Sequence, residues 1–385
     1  MRTAPRLAES SPAQTSTERL DLTVMVCASA LTIIGLVMTL SASSVRSAAS
    51  TGSAFTLFGR QFLWAGLGFV ALVCMSRIDY RRLRGIGYLA MPAVWVLLVM
   101  TLIPGVGMKA GGATRWLPLG PIAFQPSEAA KLVLILFGAD VLSRKLSMLD
   151  DWRHVALPFF ASAGVTCLLV LMQPDFGTAV ITACSAMLLA FLAGAPLRFL
   201  GSVTAAGVVV GIPIMLAEPY RRARLFGFAN ASTDSLNTGW QSVQGMVALG
   251  SGGLTGMGLG SSRQKYGYLP NGHTDFIFAI IGEETGLAGT LTVLFLFGLL
   301  AVTAIKVARR SVDAFGFLLS SAVIGWISIQ VLVNIGAVTG VLPITGVPLP
   351  LVSFGGSSLV FSLAGLGIVA SVARHGTAGG PRPPR

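Results

Sequence analysis

The run Leu22-Thr-Val-Met-Val-Cys-Ala-Ser-Ala-Leu-Thr-Ile-Ile-Gly-Leu-Val-Met-Thr-Leu40 contains no charged side chain. As an α-helix it is long enough to cross the roughly 30 Å hydrocarbon layer of a bilayer. Similar apolar runs follow at 62–78, 85–104, 128–143, 154–172, 177–195, 199–217, 275–305, 314–336 and 356–373. Together they explain a composition that a water-soluble core could not absorb: 54% of the 385 residues are hydrophobic, 11% are charged, and the mean hydropathy is +0.77. The pattern reads as an all-α integral membrane protein of about ten transmembrane helices, with a large outer loop at 218–274 between helices 7 and 8. Basic residues before the first run and small ones after it imitate a signal peptide. That run is longer than an h-region of about 7–15 residues, so it reads as a retained span.

An even number of spans puts both termini on one side. With this threading most of the 27 basic residues fall on the terminal side, among them Arg77, Arg81, Arg82, Arg84, Arg309 and Arg310, so both termini are expected in the cytoplasm. The expected organisation is a tail at 1–21, a membrane domain at 22–373 and a Gly/Pro-rich tail at 374–385. The run at 128–143 carries Glu128, Lys131 and Asp140, and the run at 275–305 is long enough that it must tilt or break near Gly282 or Gly286.

The same distribution removes several function classes. A net charge of +12 made of Lys and Arg at the ends of apolar runs is a topology signal, not a nucleic-acid surface. Cys27, Cys74, Cys167 and Cys184 lie inside apolar runs without CxxC or Cys/His spacing, which indicates neither a disulfide framework nor a metal site. The stretch Gly250-Ser-Gly-Gly-Leu-Thr-Gly-Met-Gly-Leu-Gly260 fits no G-x-G-x-x-G register, and there is no Walker A sequence. A substrate must therefore arrive already activated, and close backbone approach or re-entrant packing explains these glycines.

Four segments expected on the outer face hold the unusual chemistry. In the first, Arg115-Trp116 precedes Gln125-Pro-Ser-Glu128-Ala-Ala-Lys131. Pro126 suits a first helical turn, and Glu128 and Lys131, at i and i+3, can pair on one face. An unpaired lysine inside a span costs about 2.5–3.5 kcal/mol. Lys131 therefore either forms a structural ion pair or, with Arg115, presents charge to an anionic substrate. In the second, Gln173-Pro-Asp175-Phe-Gly177-Thr178, Asp175 can start the next helix. The third opens with Glu218-Pro-Tyr220-Arg221-Arg222-Ala-Arg224, where outward arginines suit either pyrophosphate or lipid headgroups. It closes with His273-Thr274-Asp275, in which Asp275 can be an N-cap or a catalytic carboxylate. Beyond it, Glu283 and Glu284 read as hydrogen-bonded structural acids, because Glu284 points away from the Asp275 face. The fourth segment, 342–357, is rich in Pro, Gly and Ser; at membrane depth such backbone must be buried in protein or line a cavity.

The stretches 112–131, 173–178, 240–286 and 340–357 closely resemble the SEDS family (shape, elongation, division and sporulation), most of all its division branch. The resemblance runs from Ser41 to Arg374. It implies a ten-helix glycosyltransferase that joins lipid II units on the outer face of the bacterial cytoplasmic membrane, at the division septum, alongside a class B penicillin-binding protein transpeptidase and other division proteins. Asp275 matches the family's essential aspartate. Glu128 and Lys131 match an ion pair of its central cavity, and Arg115 and Tyr220-Arg221 match its outer-loop motifs. The chain departs from the family at Asn271-Gly272, where Glu-Ala is usual, at Thr285 for Leu and at Phe354 for Tyr, and it lacks the usual proline between Phe228 and Asp234.

The implied reaction is attack by an acceptor 4-hydroxyl on the anomeric carbon of a lipid-pyrophosphate-linked chain, with inversion. Asp275 is the expected general base, and Arg115, Glu128, Lys131, Tyr220, Arg221, Arg224 and His273 are the expected substrate-binding residues. The chemistry leaves room for one cofactor, a divalent cation such as magnesium or manganese. Two other readings share the same cavity: a lipid II flippase, which needs no base, and a non-catalytic scaffold that recruits a transpeptidase.

Overall fold

A computed structural model describes residues 12–110, 113–120, 122–144, 152–217, 222 and 239–376. The helices are α1 (Pro12–Thr51), α2 (Thr56–Arg77), α3 (Ile86–Leu102), α4 (Pro126–Arg144), α5 (Trp152–Met172), α6 (Phe176–Leu192), α7 (Leu197–Ala217), α8 (Trp240–Ser251), α9 (Ile277–Arg309), α10 (Ala314–Val338) and α11 (Gly356–His375). Every apolar run read from the sequence lies on one of them. Six of the described helices are long and apolar enough to cross a membrane: those of Leu20–Thr51, Thr56–Arg77, Leu197–Ala217, Ile277–Arg309, Ala314–Val338 and Gly356–His375. Ile86–Leu102, Leu157–Met172 and Phe176–Leu192 are apolar but shorter.

The two extremes of packing show what solvent the fold is built for. Helix α4 is buried along nearly its whole length, so its Glu128, Lys131 and Asp140 are enclosed by protein and only Arg144 at its end reaches out. Helix α7 is apolar yet buries only Leu200, leaving Val208, Val209, Val210 and Ile212 exposed. In water that surface would be untenable; against lipid tails it carries no penalty. All four cysteines are free.

The all-α reading holds, with one small addition: β1 (Met108–Ala110), β2 (Ala113–Leu119) and β3 (Ile122–Phe124) form an antiparallel sheet in the order β1-β2-β3. The register pairs Met108 with Trp116 but Lys109 with Thr114, so Arg115 is the extra residue of a bulge. Bulges re-aim a side chain, and this one belongs to a residue already singled out.

The segment 239–274 has structure of its own. It opens with α8, which runs alongside α9: Gly245 meets Phe276, and Gly252 meets Gly282 and Glu283. Helix α9 breaks at Gly286 (φ 65°, ψ −161°), within the pair of glycines expected. The hydrogen bonds lost there are exchanged with the glycine-rich return. Leu287 N and Ala288 N donate to Gly253 O and Leu254 O, while Met257 N and Gly258 N donate to Glu283 O and Glu284 O. Segment 240–262 therefore packs along about 15 Å of α9 from its start.

The two buried glutamates finish this splice. Glu283 accepts from Arg263 N (3.0 Å) and Ser262 Oγ (2.5 Å), and Glu284 accepts from Ser262 N (3.3 Å) and Ser41 Oγ of α1 (2.6 Å). They satisfy irregular backbone that has no water to turn to. The Gly286 conformation is one that essentially only glycine adopts, and a Cβ there would lie 2.4 Å from Gly256 N. Gly286→Ala is expected to destabilise the protein by on the order of 3 kcal/mol, read as a lowered thermal unfolding midpoint in detergent.

Candidate functional site

The described parts of the four polar segments meet at one end of the helix bundle. Arg115, turned inward by the bulge, forms an ion pair with Asp175 (Nη1–Oδ2, 3.0 Å). Asp175 also starts α6, accepting from Thr178 N (3.2 Å) and Thr178 Oγ1 (2.9 Å). The helix-start reading of Asp175 and a charged role thus coexist. Next to it, Gly177 packs so tightly that a Cβ would sit 2.5 Å from Thr345 O, which ties the second segment to the fourth.

Burial alone would lower the pKa of the Arg115 guanidinium, but Asp175 raises it further, with Asp275 and Glu128 adding to the effect. Arg115 is thus firmly cationic and lies within electrostatic reach of three carboxylates. Its Nε is buried and has no partner among the described residues.

One helical turn into α4, Lys131 Nζ donates to Glu128 Oε1 (2.8 Å) and to Gln330 Oε1 of α10 (3.0 Å), and it lies 5.1 Å from the centroid of the Trp326 ring. The Lys131 side chain is 0% exposed and that of Glu128 is 3% exposed. Their placement therefore makes them an enclosed ion pair behind Arg115. Glu128 Oε2 has no partner among the described residues.

Asp275 is half-buried and lies in a turn before α9. Phe276 takes the N-cap position, so the aspartate stands one residue ahead of the place a simple cap would occupy. The backbone around it is held from outside. His273 O accepts from Phe354 N (3.0 Å), Thr274 O from Ser353 Oγ (2.6 Å), and Asp275 O from Asn334 Nδ2 (2.8 Å). The Pro/Gly/Ser-rich fourth segment is in turn gripped by amide side chains from two helices. Gln61 of α2 donates to Ser353 O (3.2 Å) and accepts from Gly355 N (3.2 Å), and Gln330 Nε2 donates to Pro348 O (3.0 Å). The sequence reading passed over Gln61, Gln330 and Asn334. The available signal was an amide inside an apolar run, twice at i and i+4 in Gln330-Val-Leu-Val-Asn334.

The His273 ring lies 5.8 Å from that of Phe354 and is 8% exposed. Burial, helped by the positive Arg46, pushes its pKa down to about 4, so the imidazole is neutral at physiological pH. A folded value below the unfolded 6.5 means that the unfolded chain binds the proton more readily. The stabilisation is complete above pH 6.5 and is lost as the pH falls toward 4. The thermal midpoint is expected to drop over that window, by the equivalent of about 3 kcal/mol, and His273→Gln is expected to flatten the dependence.

Tyr220, Arg221 and Arg224 lie outside the described residues. Among the described residues no three His, Cys, Asp or Glu side chains come together at metal-ligand spacing.

The chain is similar in sequence and fold to known proteins. The profile of a family described as "Cell cycle protein", FtsW/RodA/SpoVE, matches residues 21–378. Stage V sporulation protein E of Bacillus subtilis is 39% identical over 92% of this chain and 97% of its own length. The probable peptidoglycan glycosyltransferase FtsW of Mycobacterium tuberculosis is 40% identical over 91% of this chain and 67% of that protein. The fold also matches a chain of a solved peptidoglycan synthase complex that coordinates polymerization and crosslinking (31% identity, 91% of this chain and 96% of that one, TM-score 0.75). A second match is to RodA of Thermus thermophilus (30% identity, 91% and 95% covered, TM-score 0.67).

Proposed function

The chain belongs to the FtsW/RodA/SpoVE family of cell cycle proteins, the SEDS family, and from that premise we propose that it joins lipid II units into glycan strands with Asp275 as general base. It is a peptidoglycan glycosyltransferase of the bacterial inner membrane. The observation that carries the finer reading is a single polar end of the bundle that brings together a half-buried carboxylate on a fixed backbone, Asp275, and a firmly cationic guanidinium, Arg115.

In this reading all ten apolar runs span the bilayer, both termini are cytoplasmic and the site faces outward. The acceptor 4-hydroxyl loses its proton to the Asp275 carboxylate as its oxygen bonds to the anomeric carbon of the donor. The bond from that carbon to the pyrophosphate oxygen breaks, and undecaprenyl pyrophosphate leaves with the electron pair. Such base catalysis typically contributes about 10²–10⁴-fold. Arg115, with Arg221 and Arg224 from the segment beyond α7, stabilises the departing charge. Lys131 and Glu128 set the field behind Arg115. Tyr220 and the neutral His273 offer hydrogen bonds to sugar or peptide. A class B penicillin-binding protein crosslinks the product, other division proteins join the pair, and the septum is the place of action.

The test is polymer formation from purified lipid II in detergent, with the cognate class B transpeptidase present. Glycan strands that form while the transpeptidase active site is blocked support the reading. No strands, with a partner shown to be competent, would favour lipid transport or scaffolding.

A further inference from the structure

We propose that Asn334 is a positioning residue for Asp275, fixing the base against the fourth polar segment through its side-chain amide. The proposal rests on the reading of Asp275 as the base. Asp275 precedes α9, so the helix's own hydrogen-bond ladder does not hold its carbonyl. That carbonyl accepts from Asn334 Nδ2 at 2.8 Å, and the same nitrogen donates to Val347 O at 2.8 Å. An amide nitrogen has two hydrogens, and both are used here. The Asn334 side chain faces two acceptors, so its nitrogen and oxygen cannot be exchanged without setting an acceptor against acceptors. Asn334 is 2% exposed and its Oδ1 has no partner among the described residues, so those two bonds alone orient the amide.

One turn earlier on the same face of α10, Gln330 reads the next carbonyl of the segment, Pro348 O, and receives Lys131 on its oxygen. Helix α10 therefore carries a two-rung amide ladder. One rung ends at the Lys131–Glu128 pair and the other at the residue of the base. Helix α10, a rigid element, thus links the residue of the base to Lys131, alongside the bonds that Phe354 N and Ser353 Oγ make to the two preceding carbonyls. Reacting groups displaced by about 1 Å lose on the order of 10²-fold in rate, so this rung bears on kcat.

The experiment compares wild type, Asn334→Leu, Asn334→Ser and Asp275→Asn in the lipid II assay, recording kcat, KM, the pH–rate profile and the thermal midpoint in detergent. Leucine keeps the volume and removes both donors, while serine keeps one. The expected result is a kcat lower by about 10–100-fold in Asn334→Leu and intermediate in Asn334→Ser, with KM within about threefold and the acid limb of the profile displaced. A folded Asn334→Leu with wild-type kcat and profile would overturn the proposal. So would a raised KM at constant kcat, which marks a substrate contact. If Asn334→Leu fails to fold, Asn334→Ser carries the decision by the same criteria. Full activity in Asp275→Asn would remove the base reading, and positioning with it, whereas an inactive Asp275→Asn beside an unaffected Asn334 series would remove positioning alone.

Discussion

Asp275→Asn is expected to lower glycan synthesis from lipid II by about 10²–10⁴-fold while leaving the protein folded. The fold survives because the structure does not ask the carboxylate to build the helix. Phe276 is the N-cap of α9, and the 273–275 backbone is held by Phe354 N, Ser353 Oγ and Asn334 Nδ2, all of which bond to carbonyls that asparagine retains. The reaction fails because an amide oxygen cannot take the acceptor's proton at neutral pH. Asparagine also removes one of the negative charges that Arg115 feels, but Asp175 and Glu128 remain beside the guanidinium, so the cation persists. The measurement is the rate per folded molecule, with the thermal midpoint as the check on folding. Polymer at the wild-type rate would mean that Asp275 gates or caps, and the base would have to be sought elsewhere.

Sequence and structure agree most closely where the physics is local. An uncharged run of nineteen residues such as 22–40 can do little but form a helix in a bilayer, and the other apolar runs, even the charged one at 128–143, also fall on helices. The break in α9 was legible for a similar reason, since a helix of this length meets Gly282 and Gly286 in turn and only one needed to yield. Glu128 and Lys131 were legible as a pair because i and i+3 are neighbours on any helix. What stayed hidden depends on segments far apart in the chain. The Arg115–Asp175 bridge needs both the bulge in β2 and the start of α6. The sheet escaped because two of its strands are three residues long and carry no strand periodicity of their own. Helix α8 escaped because twelve residues followed by glycines look like a loop until α9 opens at Gly286 to receive them. Asp275 could be placed at a helix start from sequence, but its hold on the fourth segment could not, because the donors come from α10 and from residues 353 and 354.

The buried pair on α4 gives the largest expected effect on stability. Lys131→Met removes the partner of a carboxylate that is almost wholly enclosed and whose Oε2 already lacks a partner among the described residues. It also empties the place on Gln330 Oε1 that Lys131 fills, leaving Trp326 Nε1 as the donor there (3.1 Å). Stranding a buried charge in this way costs about 3–5 kcal/mol, whereas replacing both members by neutral groups of similar volume is often close to neutral. Glu128→Gln with Lys131→Met is therefore expected to recover most of the thermal midpoint lost by Lys131→Met alone, a coupling read from a double-mutant cycle in detergent. Equal destabilisation of the single and double variants would mean that the lysine acts through packing and not through charge. Activity then separates structure from chemistry. A folded double variant that polymerises lipid II normally confines the pair to holding α4 against α10. If the double variant is folded and slow, the pair contributes to the catalytic site, through its charge behind Arg115 or through the bond from Lys131 to Gln330 Oε1 that the change also removes.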